Sequence, residues 1–190
     1  MNTTSLKVPK VHVMIDFETL GLRPHANVRS LGAVVFTPEL ASRTERDNKS
    51  FYAEITLDIP QKNRYIDLDM WSWWKTSAGT PMPDGTALLH EAINSFDAWL
   101  KHICPNSNEL ILWSNGTDFD IPILYSLYHT FQLTPYWAYN NVRDYRTLRK
   151  LFPMVTSPEF IGTKHNAYDD AWNEANHCAD ILSYIEMQHG

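Results

Sequence analysis

Two cysteines in 190 residues, Cys104 and Cys178, are too few and too far apart for a disulfide scaffold or for the paired spacing of a zinc site. They are expected as reduced thiols in a cytoplasmic protein. Also missing is any apolar run near the roughly 20 residues that a bilayer span requires, so no membrane role is expected. The opening stretch from Met1 to Lys7 lacks the apolar core of a secretory signal and leads almost directly into the first strand. Positive charge is in short supply: 16 Lys and Arg stand against 22 Asp and Glu, for a formal net charge of −6. That balance argues against indiscriminate coating of a polyanion. It leaves room for an enzyme that gathers acid at one site and lets bound cations restore attraction for phosphate. No repeat, low-complexity tract or linker breaks the chain. Residues 1–190, 44% hydrophobic and 13% aromatic, are read as one domain with a sizeable core.

The pattern along the chain predicts an α/β fold with a mixed sheet. A β-patterned run from Val11 to Thr19 is followed by a turn-rich segment, Gly21 to Asn27. A buried strand over Ser30–Phe36 and a third over Ser50–Ile55 complete an antiparallel meander. Residues 60–84 read as irregular and hold Trp71, Trp73 and Trp74. Leu88, Leu89, Ala92, Ile93, Phe96, Trp99, Leu100 and Ile103 then recur at intervals of three and four, the mark of an amphipathic helix that ends before Pro105. A strand over Glu109–Ser114, a helix carrying Ile121, Leu124, Leu127 and Tyr128, a strand near Asn141–Arg143 and a short helix up to Pro153 come next. The last helix is expected from about Asn166 to Met187. Three strands followed by alternating helices and strands place helices around the sheet.

The most informative feature is a pair of acids one position apart at the end of the first strand. Strand side chains alternate between faces, so Asp16 and Glu18 project from the same face about 7 Å apart along the backbone. A solvated turn is one explanation. A hard divalent cation between them is another, since such ions take carboxylates together with water and phosphate oxygens. Further on, Trp113-Ser114-Asn115-Gly116-Thr117-Asp118-Phe119-Asp120 carries a buried strand through a turn into a helix. This leaves an aspartate at the carboxyl edge of the sheet, where open α/β folds place ligands. Asp118 is assigned to the turn and Asp120 to the site, with helix capping as the other use of either. The final helix opens with His165-Asn166-Ala167-Tyr168-Asp169-Asp170. Residues five apart on a helix differ by about 140°. His165 and Asp170 therefore converge only if His165 precedes the helix, which suits a base beside a metal. The other reading of Asp169 and Asp170 is ordinary acid at a helix N-terminus.

Taken in order and at these intervals, Asp16-x-Glu18, Asn115 to Phe119-Asp120, and His165-x-Ala167-x-x-Asp170 resemble the three motifs of the DEDDh 3′-to-5′ exonucleases of the ribonuclease H-like superfamily. Ile15 to Gly21, Trp113 to Gly116 and Val142 to Leu148 are most similar to a branch that contains phage DexA-type exonucleases, the exonuclease VIII nuclease domain and a mycobacterial exoribonuclease. The likeness runs from about Val11 to Ile185. It implies a ribonuclease H-like sheet, antiparallel in its first three strands and then parallel. It also implies that Asp16, Glu18, Asp120 and Asp170 hold two Mg²⁺ or Mn²⁺ ions and that His165 is the general base. Two such ions about 3.5–4 Å apart clamp the attacking and leaving oxygens of an in-line displacement at phosphorus. An imidazole of ordinary pKa near 6.5 takes a proton from water at neutral pH. The implied partner is single-stranded or 3′-ended DNA or RNA, and the product a nucleoside 5′-monophosphate. The small architecture resembles the phage-type members, which would place the chain in a host's cytoplasm. A catalytically silent nucleic-acid-binding module is the reading from another class, and a homo-oligomer is left open.

Several residues are candidates for holding the substrate. Thr19, Leu20 and Gly21 follow the metal pair, so their backbone and the Leu20 side chain are placed to meet a terminal nucleotide, unless they form an ordinary turn. Asn115 lies in the second motif. The three tryptophans offer faces on which bases stack, at about 1–3 kcal/mol per base. At least one of them is expected in the core, and Trp74 is assigned the surface role. Arg143, Arg146, Arg149 and Lys150 form a local basic cluster that suits phosphate. Arg146 is the favoured contact, and Arg149 and Lys150 are explained as a solvated helix face. Asp144 is expected to pair with one of these arginines.

Overall fold

The computed structural model describes residues 10–38 and 49–189; the opening stretch from Met1 to Lys7 lies outside them. Five strands form one sheet: β1 (Val11–Thr19), β2 (Val28–Phe36), β3 (Ser50–Glu54), β4 (Leu110–Ser114) and β5 (Val142–Asp144). Their order is β3-β2-β1-β4-β5. The first three pair antiparallel, while β4 and β5 are added parallel on the other edge of β1. This is the mixed sheet expected from the sequence, of the ribonuclease H-like kind. Five helices flank it: α1 (Leu68–Thr76), α2 (Leu89–Ile103), α3 (Asp120–Thr130), α4 (Tyr145–Leu151) and α5 (Ala167–His189). Among the described residues no helix is long and apolar enough to cross a membrane.

Alternation along β1 builds two cores. Val13, Ile15 and Phe17 face α2 and α3, where Phe96, Leu100, Ile123, Leu124 and Leu127 cover them. Met14 faces the other way, onto Ala171, Ala175, Cys178 and Ile181 of α5. The small residues of α5 recur at four and three, so the stripe that meets the sheet is narrow and close. Gly32 of β2 lies opposite Asp16. A Cβ there would stand 2.2 Å from the Ala167 carbonyl oxygen. Glycine at this position therefore lets the first turn of α5 descend onto the strand that carries the acidic pair.

Helix α1 lies inside the segment expected to be irregular. Asp67 caps it, its carboxylate accepting from the N–H groups of Asp69 and Met70 at 2.9 and 3.3 Å. Asp69 in the first turn and Lys75 in the last complement the helix dipole. Three tryptophans in nine residues give weak helix propensity and mask the period, so tertiary packing holds this helix.

Candidate active site

The parallel pairing of β1 with β4 ends at Ile15 and Ser114. Beyond that point the Phe17 N–H is free of the ladder, and it donates to Asp120 Oδ1 at 3.1 Å. Asp120 opens α3 and is only 2% exposed, so one hydrogen bond ties the start of that helix to the end of β1. Asp118 sits in the exposed turn before it and Phe119 takes the cap position.

On the α5 side, Asp16 and Glu18 continue the row begun by Met14. Where Met14 meets alanine and cysteine, these two meet the first turns of α5. His165 stands just before the helix with φ of 62°, a left-handed conformation uncommon for a side-chain-bearing residue. Its backbone N–H donates to the Asp170 carboxylate. Asn166 then caps α5, its side-chain oxygen accepting from Tyr168 and Asp169 N–H groups at 3.1 Å each. The helix begins at Ala167, within one residue of the expected start, so His165 lies outside it. One ligand atom each from Glu18, His165 and Asp170 lie within 4.8 Å of one another.

Burial and mutual repulsion govern the protonation of this cluster. Asp16 is pushed well above the ordinary carboxylate range, first by burial and then by Asp120, Glu18, Glu174 and Asp170. Burial, with Asp170 and Asp120, raises Glu18 to about 8. Asp120 rises to about 7, burial outweighing the Phe17 N–H that favours its charge. Asp170 is raised as well, again chiefly by burial. A fifth carboxylate, Glu174, was not anticipated; burial and the Asp120 charge lift it to about 8. Its signal was present in the sequence, because position 174 is one helical turn beyond Asp170 on the same face. Glu174 Oε1 accepts from Asn115 Nδ2 at 2.6 Å, while Oε2 is buried with no partner. Neighbouring carboxylates, half-buried around a buried Asp120 and with an orphaned oxygen on Glu174, are a donor set suited to hard cations. Of the four expected ligands, Glu18 and Asp170 stand together in one such group with His165, and Asp16 and Asp120 act on it electrostatically from beside.

Two of the expected substrate contacts, Trp74 and Leu20, are buried inside the fold, and the others have partners of their own. Trp74 is 4% exposed and its indole N–H donates to the Thr19 carbonyl at 3.1 Å, so it supports the turn after β1 from inside. Trp73 is the more open ring, and its centroid stands 4.9 Å from that of His165 with the two planes nearly perpendicular. Leu20 is wholly buried, and Thr19 Oγ1 donates to the Gly21 carbonyl, so residues 19–21 form a closed turn. Asn115 donates its Nδ2 to Glu174, keeps a buried Oδ1 without a partner and borders the cavity at the site. Arg146 donates to the Asn115 carbonyl at 2.6 Å and lies 3.9 Å from Asp118, holding the β4–α3 turn. Gly116, with φ of 103°, makes room for that guanidinium, which a Cβ would meet at 2.7 Å. Among the described residues Asp144 is paired with no arginine; it accepts from the Thr117 and Thr147 N–H groups at 2.8 and 2.6 Å, as the cap of α4. Arg143 turns back to the carbonyls of Asn140 and Val142.

Known structures share this fold at low sequence identity. The nuclease domain of 3′hExo, a DEDDh family member bound to rAMP, aligns with a TM-score of 0.60 at 14% identity, covering 97% of this chain and 94% of that one. Pop2p of S. pombe in its Mg²⁺- and Mn²⁺-bound form aligns at 0.59 and 12%, covering 92% and 83%. E. coli ExoI in complex with ssDNA aligns at 0.59 and 11%, and there this chain covers 41% of the other while 95% of its own length is matched. No curated protein sequence is significantly similar. A family profile does match, over residues 11–182, and by it the chain belongs to the 3′-5′ exoribonuclease Rv2179c-like domain family.

Proposed function

We propose that this domain removes nucleotides from the 3′ ends of RNA, with Asp16, Glu18, Asp120 and Asp170 holding two divalent cations, Mg²⁺ or Mn²⁺. The observation that carries the reading is that Glu18 of β1 and Asp170 of α5 bring carboxylate oxygens within 4.8 Å of a histidine held off the helix, with Asp16 and Asp120 close enough to repel them. When bound, the cations supply charge stabilisation to the pentavalent phosphorus and orient the attacking and leaving oxygens. His165 takes the proton of the attacking water. The water oxygen bonds to phosphorus as the bond from phosphorus to the 3′ oxygen of the preceding nucleotide breaks, and that oxygen leaves with the electron pair and gains a proton. The product is a nucleoside 5′-monophosphate. Glu174 and Asn115 position the ligand set from behind. RNA is favoured over DNA because the family is one of exoribonucleases, and the buried, unpaired Cys104 and Cys178 suit a reducing cytoplasm.

Matched 5′-labelled RNA and DNA strands, incubated with Mg²⁺ and with Mn²⁺, test this. A ladder shortening from the 3′ end with release of 5′-monophosphates is expected, faster on RNA. Binding without turnover under every condition would leave the silent nucleic-acid-binding module as the correct reading, and equal rates on the two sugars would remove the RNA preference.

A further inference from the structure

Two cavities meet at His165, and their linings differ in charge. One, of about 400 Å³, lies between α4, the segment 153–164 and the start of α5; Asp170 and Glu174 border it, and so do Arg149 and Lys164. The other, of about 310 Å³, has Glu54 and Asp84 in its wall; the buried Arg29 guanidinium stands behind it, 3.3 Å from Asp84, and the Tyr52 hydroxyl donates to Glu54, so its surface is acidic with one carboxylate partly neutralised. Neither Arg149 nor Lys164 makes an ion pair among the described residues. Each is instead seated against a ring: the Arg149 guanidinium lies 5.7 Å from the centre of Tyr145, and the Lys164 ammonium 6.0 Å from that of Phe160. Their charges face the acids of the site at longer range, Arg149 acting on Glu174 and Lys164 on Asp170, and neither is closed off by a direct ion pair. Arg149, expected to be a solvated helix position, is thus part of a lined passage.

Resting on the exonuclease reading above, we propose that these linings set the direction of the strand across the site. The chain 5′ of the scissile phosphate carries one negative charge per nucleotide and belongs in the passage of Arg149 and Lys164. The 3′-terminal nucleoside has no phosphate beyond the one being cut. Its sugar hydroxyls are donors, which suits the acidic cavity. A chain of net charge −6 gains little from general attraction of a polyanion, so a local pair of cations has a correspondingly large share in holding it.

The test compares two substrates in the intact protein: a single-stranded oligonucleotide, and the p-nitrophenyl ester of a nucleoside 5′-monophosphate, which has no upstream phosphates. In the Arg149→Gln/Lys164→Gln double variant, the ratio of kcat/KM for oligonucleotide to that for ester should fall about tenfold, with the loss in KM, and the slope of log KM against log salt should flatten by about 1.4. The Arg149→Lys/Lys164→Arg variant, which keeps both charges, should restore most of the ratio. An unchanged ratio in the double variant, from an active wild type, would overturn the strand path alone. Wild-type protein inactive on both substrates would instead overturn the nuclease reading, and the path with it.

Discussion

Met14 and Asp16 stand two residues apart on the same face of β1, beneath the same helix, and share almost nothing else. Around Met14 the α5 stripe is alanine, cysteine and isoleucine, and the interface is a close-packed core. Around Asp16 the same helix presents Asp170 and Glu174, and every carboxylate there is held above its ordinary pKa. Strand alternation and helical spacing are unchanged between the two regions. Only the residue types differ, so one interface stabilises the fold at one end and stores electrostatic repulsion at the other.

That contrast can be broken by mutation, and the largest effect is expected at Asp16. Asp16→Asn should lower kcat by about 10³-fold or more. In EDTA it should also raise the melting temperature, because it removes a buried charge that its neighbours repel. Retained turnover would take Asp16 out of the mechanism. His165→Ala should slow the chemical step by about 10²- to 10⁴-fold. The Mn²⁺ concentration giving half-maximal rate should move far less, which separates a base from a ligand. Glu174→Gln keeps the volume and an acceptor for Asn115 but removes the charge, and a loss of about 10- to 100-fold in metal affinity or rate is expected. A fully active variant would show that the fifth carboxylate serves packing only. Met14→Ala probes the other end of the interface: it should cost about 2–5 kcal/mol of stability, with the turnover of the folded protein preserved.

Acidity gives a finer version of the same comparison. Glu18 and Glu174 go from an ordinary value of 4.5 to about 8 on folding, so the folded state holds more protons than the unfolded state across that window. Stability in EDTA should therefore be full below about pH 4.5 and decline as pH rises through 8. Each kcal/mol lost corresponds to about 2–4 °C in a domain of this size. Mn²⁺, which binds the deprotonated carboxylates, should restore the melting temperature at pH 8 and do little at pH 5. A melting temperature in EDTA that rises from pH 5 to pH 8 would contradict the repulsion assigned to the cluster.

Legibility in the sequence followed the strength of local patterns. The β1 alternation exposed Asp16 and Glu18 as one face, and the five-residue offset from His165 to Asp170 required the histidine to precede the helix, as it does. Helix α1 was hidden because its tryptophans carry no clear period and its only strong local signal is the Asp67 cap. The same segment misled the assignment of Trp74, whose burial depends on the turn after β1, some 55 residues away in sequence. Asp144 and Asn115 have polar partners set by loop geometry, at Thr117 and Glu174, which spacing along one element cannot reveal. Glu174 was accessible from the helical repeat alone, had the last motif been followed one turn further.

The most direct measurement is a crystal structure of the protein with Mn²⁺ and a nucleoside 5′-monophosphate, with the ions located by anomalous scattering. Two peaks ligated by Asp16, Glu18, Asp120 and Asp170, with the phosphate on them and His165 alongside, are the expected result. Ions bound elsewhere, or a phosphate held away from these four carboxylates, would contradict the assignment of this site.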